Sequence, residues 1–353
     1  MADHLPRAAA AQGCDIAGVC VGKQGRFVSA RPATGLAGGG EWGRIVVSGE
    51  ECCRAAAVQR TYNRAVELGR HPMKLAFSTN AFTRFSLIEA LRAIKAAGYA
   101  GAEILADVPH AWPETLTEEG IGEIRRELER LGLAVSNINA NCSFGYWKDA
   151  PPEPYFEPSL ISPNAKHRGD RTRLILKTLE FGKAVGAGNI SITSGRMLGG
   201  MPPVAAAKQF AESMKPILDR ADALGVNVGI ECEPGLLLEF AAELREWIEK
   251  LNHPRFGANL DIGHSQVMGE SIPECVRLLG KRIWNLHVED IPGRKHYHMI
   301  PGEGTLDWGG LRDSLKEIGY QRFLTVELYT HTAEPHEAAG RSFEFLSRVI
   351  SQT

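Results

Sequence analysis

The sequence predicts an α/β fold in which eight parallel strands alternate with helices and close into a (β/α)8 barrel. Short apolar segments rich in β-branched residues recur eight times from residue 74 onward, and amphipathic helical patterns separate them. Several of these helical patterns stop on glycine immediately before the next strand. Crossovers this short require parallel strands, and eight units over about 280 residues match the size of a closed barrel.

The predicted strands follow one another in a regular order. They comprise residues 74–79, 101–105, 133–138, 188–193, 226–231, 256–261, 282–288 and 322–327. Helical patterns with apolar residues at i, i+3, i+4 and i+7 lie between them, for example at 86–98, 117–132 and 203–225. Glycine adopts the left-handed conformation at low cost, and it ends four of the helices, at Gly98, Gly132, Gly186 and Gly225.

An open, doubly wound sheet is the alternative fold. It would require a glycine-rich phosphate-binding turn after the first strand, and the sequence there, STNAFTRF, contains no glycine. The closed barrel is therefore favoured.

Residues 1–72 differ in composition from the barrel segment, residues 73–353. They are rich in Ala and Gly and show no sustained hydrophobic period, so we predict a largely disordered N-terminal extension. Within it, residues 48–69 can form one helix, which Pro72 separates from the first strand. Sequence upstream of the natural start and an oligomerisation arm are the other interpretations of this segment.

The bulk composition excludes several classes of protein. The net charge is -2 and no block of Lys and Arg occurs, which argues against a dedicated nucleic-acid surface. No apolar run is long enough for a membrane span, and the N-terminus is a poor signal peptide. The seven cysteines show no metal-binding spacing, so we expect reduced thiols in a cytoplasmic protein.

Four ligand-type side chains stand at the carboxyl ends of the last four predicted strands, where barrels of this class place their active sites. They are Glu231, Asp261, His287 and Glu327. A single acid at a strand end is more often a helix cap, and a single His is more often a hydrogen-bonded core residue. Four together would suffer repulsion and desolvation without a cation among them. The set suits one divalent ion, Mn²⁺, Mg²⁺, Co²⁺ or Zn²⁺.

The motifs around these residues resemble those of a known family. In order, the chain contains IECEPG, NLDIGH, NLHVED, PGEGTLDW and VELY. Together they resemble the sugar phosphate isomerase/epimerase superfamily of xylose isomerase-like TIM barrels (AP endonuclease family 2), which includes D-tagatose 3-epimerase-type enzymes, inosose-processing enzymes and AP endonucleases. The resemblance covers residues 74–350. It does not specify the substrate.

The resemblance implies a role for each matching position. Glu231, Asp261, His287 and Glu327 would bind the metal, and Glu231 and Glu327 would also form the acid/base pair. His264, three residues after Asp261, would contact the substrate. The implied activity is a metal-dependent isomerase or epimerase that acts on a small ketose, keto-sugar or cyclitol through an enediolate-type intermediate.

Other side chains near the same rim are weaker candidates. His298, Glu103 and Asn139 are predicted to contact substrate, although a salt bridge for Glu103 and turn chemistry for Asn139 are the structural alternatives. Glu233 lies two residues beyond Glu231 and is either an alternative ligand or a rim residue. The long segment 142–169 is predicted to be a lid over the pocket.

Two other activities belong to the same superfamily. An AP-endonuclease-like phosphodiesterase would need further metal sites, built from extra His after the second and third strands. The chain offers there only His110, with Asn139 and Asn141, although the positions of His264, His296 and His298 are compatible with further metal sites. A dehydratase of the inosose type would use the same ion on a leaving hydroxyl.

A sugar-binding barrel without catalysis is a further alternative, but sugar binding alone does not require four metal ligands. Analogy with relatives also implies a homodimer, but no interface patch can be identified from the sequence.

Overall fold

The protein is described by a computed structural model that covers residues 19–21, 27–29, 73–148 and 155–351. The chain divides into two compact units, Met1–Arg60 and Thr61–Thr353. In the first unit, the strands Val19–Val21 and Phe27–Ser29 pair antiparallel. The helix predicted at 48–69 and the predicted disorder of the N-terminal extension lie outside the described residues.

The second unit contains a closed barrel of eight parallel strands, which follow one another around the barrel in chain order. The strands are β1 (Lys74–Ser78), β2 (Gly101–Leu105), β3 (Ala134–Asn139), β4 (Asn189–Thr193), β5 (Asn227–Glu231), β6 (Phe256–Asp261), β7 (Ile283–Val288) and β8 (Phe323–Val326). The barrel closes because β8 pairs with β1 as well as with β7. The predicted (β/α)8 fold is therefore confirmed.

Helices connect the strands on the outside of the barrel. They are α1 (Leu87–Ala97), α2 (Glu118–Leu131), α3 (Ala165–Ala184), α4 (Pro203–Leu224), α5 (Ala241–Leu251), α6 (Ile262–Met268), α7 (Ile272–Leu279), α8 (Trp308–Glu317) and α9 (Pro335–Ser351). The predicted glycine stops are confirmed at Gly98, Gly132 and Gly225, which are left-handed C-caps, while Gly186 follows the C-cap of α3. Within the described residues, no helix combines the length and apolar character that crossing a membrane requires.

The strands bury two different faces. Ile230, Leu260 and Leu286 belong to the apolar core between strands and helices. Because side chains alternate along a strand, the next residues, Glu231 and Asp261, face the barrel interior. The upper part of that interior is lined by buried polar groups, and this layer forms the floor of the candidate site.

Candidate metal centre and active site

The four side chains singled out in the sequence converge in the structure. One ligand atom from each of Glu231, Asp261, His287 and Glu327 lies within 4.8 Å of the others, and all four side chains are buried. Nδ1 of His287 is 3.0 Å from Oε2 of Glu231, 3.7 Å from Oε1 of Glu327 and 3.8 Å from Oδ2 of Asp261. Strands β5 to β8 thus bring three carboxylates and one imidazole to a common point.

This cluster is electrostatically unfavourable without a cation. Oδ2 of Asp261 is buried and has no hydrogen-bond partner. Burial raises the pKa of Glu327 well above its usual range, and the carboxylates of Glu231, Glu103 and Asp261 add to the effect. A positive ion among these oxygens would relieve both costs. Three carboxylates and an imidazole are a donor set that suits a divalent metal, so the residues fit the predicted ion.

His287 is held from below by Glu103. Oε2 of Glu103 lies 2.7 Å from Nε2 of His287, and Asn137 Nδ2 donates to the same oxygen over 2.7 Å. Glu103 is completely buried and does not line the cavity above the cluster. Its predicted contact with substrate has no support from this geometry, because its carboxylate is engaged beneath the ring of His287.

Asn139 and Asn80 both point at Glu327. Each donates an Nδ2–H to Oε1 of Glu327 over 3.0 Å, and both line the cavity. Asn139 was singled out in the sequence, whereas Asn80 was not. Asn80 stands in the short 3-10 helix after β1, and a polar residue directly after a strand was the only signal that could have identified it.

A second pair of asparagines supports the cluster from inside the barrel and was also missed. Asn259 donates to Oε2 of Glu231 and lies 3.1 Å from Nδ1 of His287. Asn285 Nδ2 in turn donates to Oδ1 of Asn259 over 2.8 Å. Asn259 precedes Asp261 by two residues and Asn285 precedes His287 by two, so they share the inward face of their strands. Polar residues at this spacing in apolar strands were the available signal.

His264 lies beside the cluster in helix α6. Its Nδ1 is 3.0 Å from the carbonyl oxygen of Cys232, and its Nε2 is 3.4 Å from Oε2 of Glu233. Despite burial, the carboxylates of Asp261, Glu233 and Glu231 raise the pKa of His264 to about 9. Glu231, Glu233 and His264 themselves form a group of potential metal ligands. Both His264 and Glu233 line the cavity.

His298 completes a group of three histidines with His264 and His296. Nδ1 of His298 is 3.0 Å from the carbonyl oxygen of Glu327, and Nε2 of His298 is 3.2 Å from Nε2 of His296. Burial lowers the pKa of His298 to about 3, so its ring is neutral. One ring nitrogen from each histidine lies within 4.8 Å of the others. Both His296 and His298 line the cavity.

A cavity of about 500 Å³ opens above the cluster. Its floor includes Glu231, Glu327, Asn139 and Asn80. The described parts of the predicted lid contribute Cys142, Phe144, Tyr155 and Phe156 to the wall. Helix α3 begins at Ala165, so the loop is slightly shorter than the sequence predicted.

The fold and the motifs agree with a known family. Residues 91–349 match the model of the xylose isomerase-like TIM barrel. The chain belongs to this family.

The chain is similar in sequence to epimerases and isomerases, over lengths that differ from one relative to the next. It is 24% identical over 277 residues to a fructoselysine 3-epimerase of Escherichia coli O157:H7, which covers 77% of this chain and 96% of the relative. An inosose isomerase of Bacillus subtilis (strain 168) is 25% identical over 130 residues, 35% of this chain and 47% of the relative.

Solved structures of other proteins share the barrel fold. A D-tagatose 3-epimerase-like protein superposes with a TM-score of 0.66 at 20% identity, covering 79% of this chain and 97% of its own. The IOLI protein with a bound zinc atom gives a TM-score of 0.64 at 20% identity, covering 79% of this chain and 98% of its own. At this identity the likeness concerns the fold.

Proposed function

We propose that the protein is a divalent-metal-dependent sugar isomerase or epimerase. The convergence of Glu231, Asp261, His287 and Glu327 on one point carries this proposal, because Glu231 and Glu327 of that cluster line a cavity. The predicted substrate is a small ketose, keto-sugar or cyclitol. Relatives that are epimerases and isomerases of such compounds support it.

The reaction requires removal of a proton from a carbon beside a carbonyl group and its return to another face or atom. A divalent ion held by the four ligands would polarise the carbonyl and stabilise the negative charge that develops. Glu231 and Glu327 would move the proton, because they supply two carboxylates from different strands to the same cavity. Asn80 and Asn139, which donate to Glu327, would hold that carboxylate in place. The buried polar floor keeps the acid/base groups away from bulk water.

Phosphodiester cleavage is a second candidate, favoured by the three-histidine group of His264, His296 and His298. Against it, both ring nitrogens of His110 are engaged: Nδ1 is 3.1 Å from Thr79 Oγ1 and Nε2 is 3.2 Å from a backbone carbonyl. His110 is therefore not presented as a ligand. Metal content separates the candidates, because one ion per chain supports sugar chemistry and three support phosphodiester cleavage. An inosose-type dehydratase would be recognised by a product that has lost water.

Deuterium uptake tests the main proposal. Metal-reconstituted protein is incubated in heavy water with ketoses, inososes and 3-keto sugars, and the carbon beside the carbonyl is followed by mass spectrometry or NMR. Glu231→Gln and Glu327→Gln should each abolish uptake while the barrel remains folded by circular dichroism. Glu246→Gln, on the exposed face of α5, is the matched control and should keep full exchange. Exchange retained in both active-site variants would refute the proton-transfer roles.

A further inference from the structure

The cavity walls carry carboxyl groups and, within the described residues, no Lys or Arg. Glu231, Glu327, Glu233 and Asp107 all line it. The three carboxylates of the proposed ligand set exceed the charge of a divalent ion by one, and Glu233 and Asp107 add further carboxyl groups. A phosphate or carboxylate on the substrate would therefore meet like charge without a cationic side chain to receive it.

His264 and His298 form hydrogen bonds within the protein. His264 is engaged at both nitrogens, by the carbonyl of Cys232 and by the carboxylate of Glu233, so neither nitrogen is free to bind an anion. His298 uses Nδ1 on the carbonyl of Glu327. Phosphate recognition usually relies on Arg or Lys side chains whose N–H groups are free to reach the oxygens.

The buried arginine of helix α3 is also bonded within the protein. Arg171, in α3, is fully buried and donates its terminal N–H groups to the backbone carbonyls of Ala140, Asn141 and Cys142 over 2.5 to 3.0 Å. Arg171 thus orders the segment that carries Asn141 and Cys142 into the cavity wall, and it does not line the cavity itself.

Backbone amides are the remaining way to bind a phosphate in a barrel of this class, most often in the loops after the last two strands. In this protein, backbone amides of the loop after β7 bind a carboxylate of the chain itself. The buried carboxylate of Asp290 accepts hydrogen bonds from the backbone N–H groups of Ile291, Gly302 and Leu306 and from the indole of Trp308, over 2.8 to 3.1 Å. Three backbone amides of the loop that carries His296 and His298 are therefore occupied.

The mouth of the cavity is apolar instead. Phe144, Tyr155, Phe156 and Val108 line it, and the rings of Phe144 and Tyr155 meet edge to face with centroids 6.4 Å apart. Tyr155 is 52% exposed and Val108 is 43% exposed, so apolar surface faces the opening. A cavity of about 500 Å³ lies within the range of roughly 300 to 1,000 Å³ that is typical of small-molecule sites.

We propose that the substrate is a ketose without phosphate or carboxylate groups, extended by an apolar substituent that packs against Phe144, Tyr155 and Phe156. This inference rests on the proposed isomerase or epimerase function. The polar floor would take the sugar, and the aromatic wall would take the substituent. Phosphorylated analogues would be excluded by the excess of carboxyl groups and because Asp290 already occupies three backbone amides of the loop after β7.

Matched ligands test both halves of the proposal. D-fructose, its benzyl ethers at O1 and O6, and D-fructose 1-phosphate and 6-phosphate are titrated into Mn²⁺-loaded protein by calorimetry. At least one benzyl ether should bind on the order of tenfold more tightly than fructose, because its ring buries apolar surface. Both phosphates should bind at least about tenfold more weakly than fructose. Added salt should reduce the phosphate penalty and leave the benzyl gain unchanged.

Variants locate the effect in the cavity. Phe156→Ala should reduce the ratio of benzyl ether to fructose affinity severalfold, whereas Val204→Ala, at an 82% exposed position of α4, should not change it. Tighter binding of either phosphate than of fructose would overturn the exclusion of anions. Failure of every benzyl ether to exceed fructose would overturn the apolar extension.

Exchange in heavy water keeps this inference separate from the proposed function. If the affinity order holds but no ligand exchanges a C–H, the binding preference stands and the proposed function fails. If the phosphates exchange faster than the benzyl ethers, the function stands and the inference fails.

Discussion

Nε2 of His287 lies 2.7 Å from Oε2 of Glu103, and both side chains are completely buried inside the barrel. The hydrogen bond links β2 to β7 and orients the ring so that Nδ1 faces the carboxylates of Glu231, Asp261 and Glu327. A carboxylate behind a metal-binding His fixes the tautomer and increases the basicity of the ligand nitrogen. Glu103 is therefore a positioning residue in the proposed centre.

Glu103→Gln should weaken binding of a divalent metal by roughly 10- to 100-fold, because an amide neither fixes nor polarises the ring as a carboxylate does. Competition of Mn²⁺ or Zn²⁺ between the protein and a chelating dye measures this directly. Glu246→Gln serves as the control and should bind metal like the unmodified protein. Equal affinity in both variants would show that Glu103 does not act through His287.

Asp290 should stabilise the loop after β7 far more than Asp307 stabilises helix α8. Asp290→Ala leaves four donors without their charged acceptor, and we expect a loss of about 3 kcal/mol in the free energy of unfolding. Asp307 caps α8 by accepting from Gly310 over 2.9 Å, so Asp307→Ala should cost about 1 kcal/mol. Denaturant unfolding compares the two. Equal losses would contradict the role given to Asp290.

Two helical glycines should respond in opposite directions to alanine. A Cβ on Gly263 would overlap the carboxylate of Glu289, which is completely buried, and would come within 3.0 Å of Ile291. Gly263→Ala should therefore destabilise the protein by about 1 to 3 kcal/mol. A Cβ on Gly169 in α3 meets nothing within 4 Å, so Gly169→Ala should stabilise by about 0.5 to 1 kcal/mol. Chemical denaturation gives both values, and a shared sign would disprove the steric account.

Glu127 should make stability depend on pH in the acid range. Hydrogen bonds from Arg130 and Arg92, at 2.6 to 2.8 Å, lower its pKa from the usual 4.5 to about 2. Because the pKa is lower in the folded state, the contribution is complete above about pH 4.5 and is lost as the pH falls toward 2. Glu127→Gln should thus lower the free energy of unfolding at pH 7 by an amount on the order of 1 kcal/mol or less, and the melting temperature falls with it.

The measurement is the difference in melting temperature between the unmodified protein and Glu127→Gln, taken at pH 7 and at pH 3. That difference should shrink at the lower pH, and salt should reduce it at pH 7, since both arginines are more than half exposed. Glu123→Gln, at an exposed position of the same helix, should show little change at either pH. A difference independent of pH would contradict the assigned pKa.

The barrel architecture could be predicted from the sequence because the patterns that indicate strands, helices and helix ends are local. Each strand shows as a β-branched apolar segment, each helix shows a 3.6-residue period, and Gly98, Gly132 and Gly225 mark helix ends. Once the barrel is recognised, the carboxyl ends of the strands are known to lie at one rim. That rule alone selected Glu231, Asp261, His287 and Glu327.

The hydrogen-bond partners of those four side chains could not be predicted from the sequence in the same way. The sequence assigned Glu103 to the substrate, but its carboxylate lies beneath His287, which is 184 positions away along the chain. Asn80 was overlooked, although it donates to Glu327 across 247 positions. Nothing in a strand pattern indicates which polar side chain will stand opposite another.

The amino-acid sequence by itself determined the number and order of strands, the family, and the residue types at the end of each strand. The tertiary structure decided which of these residues touch, that Nδ1 of His287 faces the carboxylates of the cluster, and that Asp290 accepts from amides of its own loop. The reason is that periodicity and capping depend on neighbours along the chain. Contacts across the barrel depend on its closure and on the register of strands, which only the folded chain fixes.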